Sequence, residues 1–416
     1  MNRLKIPQEE DPFLNPLDTI LADIAVNVQL PPGLHDKATE RYEAVRNYAE
    51  RDGSPLKGRI LRFYPQGSMA IDATISTRGT DDEYDIDIVA ELDIDHLSDP
   101  HATIGELTDA LKGYPTSKDV ERQTRCVTVR YADGMHLDVT PAARLPYSRE
   151  RESHIFHAHP KKPSEHSLVP MNAYGFVEWY RERTPLEDRF AKAFNRRLLE
   201  AYGMIIKADA EVDEVPDQTP LYVKNTATVA LQLLKRFRNV VYASADCRIP
   251  PSVMMSCIAG HAAAPNTSLT DMVIKQARML AKEIWAASAK REKLSIVNPV
   301  FPRDCFTDRW PENIAQQNDF AAALKNLSDG LEILRKQGAD LEELQEWLRE
   351  RFGSHVVSRS VKQFNERMGG AVRTSAQSYS GRGGLFVPSA PALVGIGVAA
   401  SPAAAKPHTF MGGRRR

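Results

Sequence analysis

Apolar residues recur along this chain with two different periods, and the change of period divides it. Leu17, Ile20, Leu21, Ile24 and Val28 keep helical spacing until Pro31-Pro32-Gly33 breaks it. A second helix is predicted over about 34–52, with Ala38, Tyr42, Val45 and Tyr48 apolar and Gly53 at its end. The period then shortens to two. Ile60–Tyr64, the segment D-I-D-I-V-A-E-L after Thr80, and residues 126–139 all alternate as strands do, with a helix over about 102–113 between them. Asp133-Gly134 joins two alternating runs and predicts a hairpin. The two N-terminal helices are expected to brace this sheet. Residues 144–172, dense in Pro and His, read as a crossing loop that could cover a cleft.

Helical spacing returns from Asn172. Thr184-Pro-Leu-Glu187 predicts a capped helix start, and a helix over about 221–243 carries Ala227, Leu231, Leu234 and Val241 on its core face. Lys235, Arg236 and Arg238 fall elsewhere on that helix, and Pro250-Pro251 opens another with Ser252 at its beginning. Helices near 268–288 and 319–351 follow, the latter interrupted near Gly338. Beyond Gly370, interspersed Pro and Gly leave no sustained period and predict an extended, disordered tail. The fold class expected is α+β. A catalytic domain over 1–170 and a helical domain over 171–369 would form a two-lobed cleft, and 370–416 would be the tail.

Composition narrows the function. The chain has 416 residues, long enough for two domains sharing a cleft, and 42% hydrophobic with 26% charged residues is ordinary for a soluble protein. A net charge of −1 provides no field for gripping a nucleic-acid polymer, so mononucleotides are the better-matched substrate class. Cys126, Cys247, Cys257 and Cys305 lack metal or disulfide spacing, which suits reduced thiols and a cytoplasmic location. His154, His157, His159 and His166 cluster without a nearby Cys, and read as a solvated loop rather than a metal site. The N-terminus has no apolar core of a signal peptide, and the apolar tract 385–405 is broken by Pro388, Pro391 and Pro402, so no membrane partner is expected.

The chemistry concentrates between Pro65 and Glu91, P-Q-G-S-M-A-I-D…E-Y-D-I-D-I-V-A-E. Alternation puts Asp85 and Asp87 on one face of a strand, their roots roughly 7 Å apart. Two such carboxylates can converge on a pair of divalent ions that clamp a phosphoryl transfer. Gly67 lets backbone amides approach a phosphate closely, and Ser68 adds a hydroxyl. Asp138, in L-D-V-T-P, faces away from Leu137 and Val139 and can join the pair from a neighbouring strand.

Gly67-Ser68, Asp85-Ile-Asp87 and Asp138 together resemble the DNA polymerase β superfamily of nucleotidyltransferases. The fuller text, with L-Q-L-L-K-R-F-R-N at 231–239 and P-S-V-M-M-S-C-I-A at 251–259, resembles the bacterial cGAS/DncV-like nucleotidyltransferases (CD-NTases) of CBASS anti-phage systems. The likeness spans most of residues 15–350. It implies a polymerase β-like sheet-and-helix core, a helical domain like the C-terminal part of oligoadenylate synthase, and synthesis of cyclic oligonucleotides from ribonucleoside triphosphates. It also implies two Mg²⁺ ions, with Mn²⁺ as the alternative, on Asp85, Asp87 and Asp138, and triphosphate contacts from Lys235 and Ser252. Rival readings are a linear oligonucleotide synthase, nucleotidyl transfer to another acceptor, and a catalytically silent nucleotide-binding protein. Some relatives have a C-terminal glycine joined to targets by a ubiquitin-transfer-like partner; here Arg414, Arg415 and Arg416 follow Gly412-Gly413, so conjugation would require trimming. Base preference, ring size, linkage, activating signal and oligomeric state have no legible signature.

Overall fold

The computed structural model describes residues 12–13, 15–30, 32–75, 84–146, 148, 151–209, 224–337, 341–373, 377–379 and 386–388. The chain divides into two compact units, Met1–Arg367 and Met368–Arg416. The first begins with helices α1 (Pro16–Val28) and α2 (Pro32–Ala49), followed by β1 (Ile60–Pro65), a single turn α3 (Gly67–Ala70) and β2 (Tyr84–Leu92). Next come α4 (Pro100–Leu111), β3 (Asp119–Arg122), β4 (Val127–Arg130), β5 (Met135–Arg144), β6 (Ser153–His157) and β7 (Ser167–Met171). The helical part comprises α5 (Ala173–Arg183), α6 (Asp188–Asp209), α7 (Thr226–Val241), α8 (Ser252–Ala262) and α9 (Leu269–Ala289). A small pair, β8 (Val297–Asn298) and β9 (Phe301–Cys305), precedes α10 (Ile314–Gln337), α11 (Leu341–Phe352) and α12 (Ser354–Arg373).

The seven strands β1 to β7 form one sheet. Its main path runs β1-β2-β5-β4-β3, and β6 and β7 extend it from the far part of β5. The β2–β5 pairing is parallel, and its register sets Asp85 beside His136 and Asp87 beside Asp138. The Asp133-Gly134 turn joins β4 and β5 antiparallel, as the alternation predicts, and Gly134 takes a positive φ of 85° there. On the reverse face, Ile86, Ile88, Leu137 and Val139 pack into a core with Ala38 and Val45 of α2 and Ile104 and Leu107 of α4. Helix α4 starts where Asp99 accepts a 2.7 Å hydrogen bond from the Ala102 amide and Pro100 takes the first turn.

Three expectations change. Helix α1 does not brace the sheet: every residue from Leu17 to Val28 is buried, and its apolar side chains join the core of α6, α7 and α9. A helix apolar on most of its circumference needs cover on all sides, which the helical layer provides. Buried Asp23 ties it further, pairing with Arg197 at 3.3 Å and with Arg367. The crossing loop expected over 144–172 instead contains β6 and β7, and His154 and His157 sit on β6. There the His154 ring lies 3.0 Å from the His96 carbonyl oxygen, and His157 accepts from Arg125 at 3.1 Å. Finally, α6 begins at Asp188 rather than Thr184, because the Thr184 hydroxyl donates back to Tyr180 and closes α5. Glu187 accepts from the Thr226 amide at 2.9 Å.

Among the described residues no helix is long and apolar enough to cross a membrane. In the second unit, Gln377–Tyr379 (β10) pairs antiparallel with Phe386–Pro388 (β11), inside the stretch whose composition predicts an extended tail. The helix break near Gly338 and the Gly412-Gly413-Arg414 terminus lie outside the described residues.

Candidate active site

A cavity of about 420 Å³ lies between the aspartate face of the sheet and the helices α7 and α8. Gly67, Ser68, Asp85, Asp87, Lys235 and Ser252 all line it, so six of the seven residues singled out from the sequence meet at one place. The seventh, Asp138, is the register partner of Asp87 on β5, and the Thr128 hydroxyl donates to its carboxylate at 2.5 Å.

The sheet side is built tightly. The Gln66 amide donates to the Asp87 carbonyl at 2.8 Å and ties the end of β1 to β2. Gly67 then takes a φ of +60°, a left-handed conformation that side-chain-bearing residues enter at a cost. A Cβ there would also overlap the Asp87 carboxylate. Glycine is thus required twice, by backbone geometry and by the carboxylate against which it packs. Ser68 accepts a hydrogen bond from Thr74 at 3.3 Å. Asp85 is contacted by the His136 ring at 3.3 Å, with that ring buried beneath it and Arg130 3.0 Å from its other nitrogen.

Charge is strongly perturbed here. Burial raises the Asp87 carboxyl to about 7, the Asp138 and Asp85 carboxylates push the same way, and Lys235 opposes them. Burial lowers Lys235 to about 7, helped by Arg238 and opposed by Asp87. Clusters of carboxylates whose negative charges disfavour one another in a cleft are the signature of a site that accepts a cation.

On the helical side, the cations that the spacing sets apart from the core face of α7 are withdrawn from solvent. Lys235, Arg236 and Arg238 are all buried, because α1, α8, α9 and α11 surround α7. Lys235 donates to the Ala73 carbonyl at 2.8 Å, and Gln232 donates to the Thr74 carbonyl at 2.9 Å. Arg236 donates to the Phe352 carbonyl at 2.8 Å. Arg238 donates to the Pro250 carbonyl at 2.9 Å and to the Ser252 hydroxyl at 2.8 Å. Ser252 is therefore held by an arginine at the first turn of α8, where Pro251 provides no side-chain cap.

Arg238, Asn239 and Asp304 are among the cavity residues that the sequence did not single out. Arg238 and Asn239 stand in the same L-K-R-F-R-N run as Lys235, and that run could have flagged them. Asp304, on the five-residue strand β9, had no signal, because so short a strand carries no usable period.

Residues 16–151 match a family described as the Second Messenger Oligonucleotide or Dinucleotide Synthetase domain. The cyclic dinucleotide synthase CdnG of Bradyrhizobium diazoefficiens is 55% identical over 407 residues, covering 98% of this chain and 97% of that protein. A c-di-GMP synthase of Roseivirga ehrenbergii is 24% identical over 324 residues, covering 77% of this chain and 80% of its own. The solved structure of the Bradyrhizobium CdnG in complex with GTP superposes with a TM-score of 0.76, covering 85% of this chain and 100% of that one. Identity of this extent, running through both the sheet and the helices, leaves one conclusion: the chain belongs to the cGAS/DncV-like nucleotidyltransferases, and is a cyclic oligonucleotide synthase on the polymerase β-like fold.

Proposed function

We propose that the cavity joins ribonucleoside triphosphates through Asp85, Asp87 and Asp138 as ligands of two Mg²⁺ ions, with Gly67, Ser68, Lys235 and Ser252 holding the triphosphate. The observation that supports this most is the meeting of aspartates from the sheet with a buried lysine from α7 across a single cavity. The donor set fits the ion. Asp87 is buried beside Asp85 and Asp138, whose charges push against its own, and a bound cation would relieve them. Among the described residues no three His, Cys, Asp or Glu side chains stand as a group that could hold a metal by themselves. Substrate phosphates would complete the coordination, as they commonly do for magnesium. A divalent pair, when bound, would make the attacking hydroxyl more acidic and neutralise the departing pyrophosphate.

The chain's own groups do the positioning. Asp87, set centrally between Asp85 and Asp138, orients the reacting centre, and the Gly67 backbone lets the phosphates come close without a side chain between. Lys235 releases the Ala73 carbonyl and turns to a phosphate oxygen, and Arg238 fixes the Ser252 hydroxyl for the same task. One ribose hydroxyl attacks an α-phosphorus and pyrophosphate leaves; a second round in the same cavity closes the ring. The Bradyrhizobium relative solved with GTP makes GTP one of the triphosphates to test. The family resemblance supports a cytoplasmic enzyme of anti-phage signalling, with residues 1–170 as its catalytic part and 171–369 as its helical part.

Incubation with four labelled triphosphates and Mg²⁺, followed by phosphatase and chromatography, tests this reading. A phosphatase-resistant product supports it; a product reduced to linear, phosphate-free oligonucleotides would replace it with linear synthesis. Asp85→Asn and Asp138→Asn should each abolish the product in a folded protein. Lys235→Ala should lose about 1.5–3 kcal/mol of triphosphate interaction, seen mainly as a raised KM. An unchanged KM and rate would leave Lys235 with a purely structural role at Ala73.

A further inference from the structure

One wall of the cavity differs from the rest. Met171 at the end of β7, Phe176 on α5 and Phe306 just beyond β9 make it apolar, and the two phenylalanine rings meet edge to face at 5.0 Å between centroids. Set into this wall is a single carboxylate, Asp304, which is 8% exposed. Its Oδ2 accepts the Asn172 amide at 3.0 Å and the Asn298 side-chain amide at 3.0 Å. Both protein hydrogen bonds thus fall on one oxygen, and Oδ1 accepts none from the described residues. Burial raises the Asp304 carboxyl above its ordinary range, a cost that an unused acceptor in a cavity wall does not repay.

We propose that Asp304 is the residue with which this cavity reads guanine, accepting hydrogen bonds from the N1–H and the 2-amino group of its Watson–Crick edge. The proposal deepens the triphosphate reading above and rests on it. A flat purine suits an apolar wall with one aimed polar group, the usual make-up of a small-molecule site. A phosphate does not belong there, because a carboxylate repels it. Guanine presents two adjacent donors on that edge, and a carboxylate has only acceptors to offer them. Adenine presents one donor beside an acceptor, so the same carboxylate satisfies half of its edge and opposes the other half. Sites built to hydrogen-bond a substrate group discriminate strongly against analogues that lack it.

The placement of both protein contacts on Oδ2 makes a clean variant available. In Asp304→Asn the side-chain oxygen can keep the Asn172 and Asn298 bonds while an amino group replaces the acceptor at Oδ1. Asparagine also matches the adenine edge, donating and accepting in turn. The test is calorimetric binding of the α,β-methylene analogues of GTP, ITP and ATP to the full chain and to Asp304→Asn, with melting curves of both proteins. The parent chain should bind the GTP analogue at least about tenfold more tightly than the ITP analogue, which lacks the 2-amino group, and more tightly still than the ATP analogue. In Asp304→Asn the GTP preference should collapse while ATP-analogue affinity holds or rises. The comparison of GTP with ITP on the parent chain needs no variant, so a poorly folded Asp304→Asn does not remove the test. Equal affinity of the parent for all three bases overturns the proposal. So does an Asp304→Asn that weakens all three equally, as a contact to ribose would. Pyrophosphate release by the parent in either case would leave nucleotidyl transfer standing; no binding of any triphosphate would overturn both readings.

Discussion

Asp87→Asn protein is expected to make no cyclic product and yet to melt at a higher temperature than the parent chain at pH 8 in a chelator. The loss of activity follows from removing the central carboxylate of the set, which lines the cavity beside Asp85 and pairs in register with Asp138. The gain in stability follows from the sign of its titration. Burial, then Asp138 and Asp85, raise the folded carboxyl from 3.8 to about 7. A carboxyl raised on folding contributes stability that is complete below its unfolded value. That contribution disappears as pH climbs from about 4 to about 7. At pH 8 the ionised form therefore costs on the order of 2–4 kcal/mol, a figure that already includes the attraction of Lys235. Asparagine keeps the shape and removes that cost. Melting curves at pH 8 and pH 4 check it: the variant should lead at pH 8 and lose its lead at pH 4. A variant that melts below the parent at pH 8 would show that Asp87 is not under electrostatic stress. Added Mg²⁺ should stabilise the parent more than the variant, since only the parent keeps the full ligand set.

Gly67→Ala carries the second large effect. An alanine at φ +60° costs about 1–2 kcal/mol of backbone strain. Its Cβ would also meet the Asp87 carboxylate, which can move aside only by leaving the position it holds toward the cavity. The rate should fall at least about a hundredfold, in line with the cost of displacing a reacting group by an ångström. The melting temperature should fall by only a few degrees. Initial rates at saturating triphosphate, with a melting curve of the same preparation, separate the two. Full activity in Gly67→Ala would mean that the carboxylate has room to spare and that the glycine serves the turn alone.

The parts of this site that sequence revealed lie where a period and a chemical motif coincide. Asp85, Asp87 and Asp138 are polar positions inside otherwise apolar alternation, so strand, face and chemistry were readable together. Gly67-Ser68 was readable because it precedes that strand at close range. The helical side was less accessible. Lys235 and Arg238 look solvated on a helix drawn alone, and become buried only because neighbouring helices enclose α7 from every side. Strands β6 and β7 were hidden by their prolines and histidines, tolerable because each strand is five residues long. Asp304 gained its place when β8 and β9 folded back against Asn172, a contact between segments 132 residues apart that no local pattern encodes.

The hydrogen bond from Lys235 to Ala73 spans 162 residues, and that from Gln232 to Thr74 spans 158. Closing loops of that length is entropically costly and slow, whereas Asp87 and Asp138 come together through a single crossover within the sheet. The order of assembly follows. As the chain is synthesised, Asp87 and Asp138 can pair in register while α7 has still to emerge, and Lys235 reaches Ala73 only once the helices are made. On the roles proposed above, an incomplete chain would carry the carboxylates without the lysine, and nucleotidyl transfer would wait for the helices.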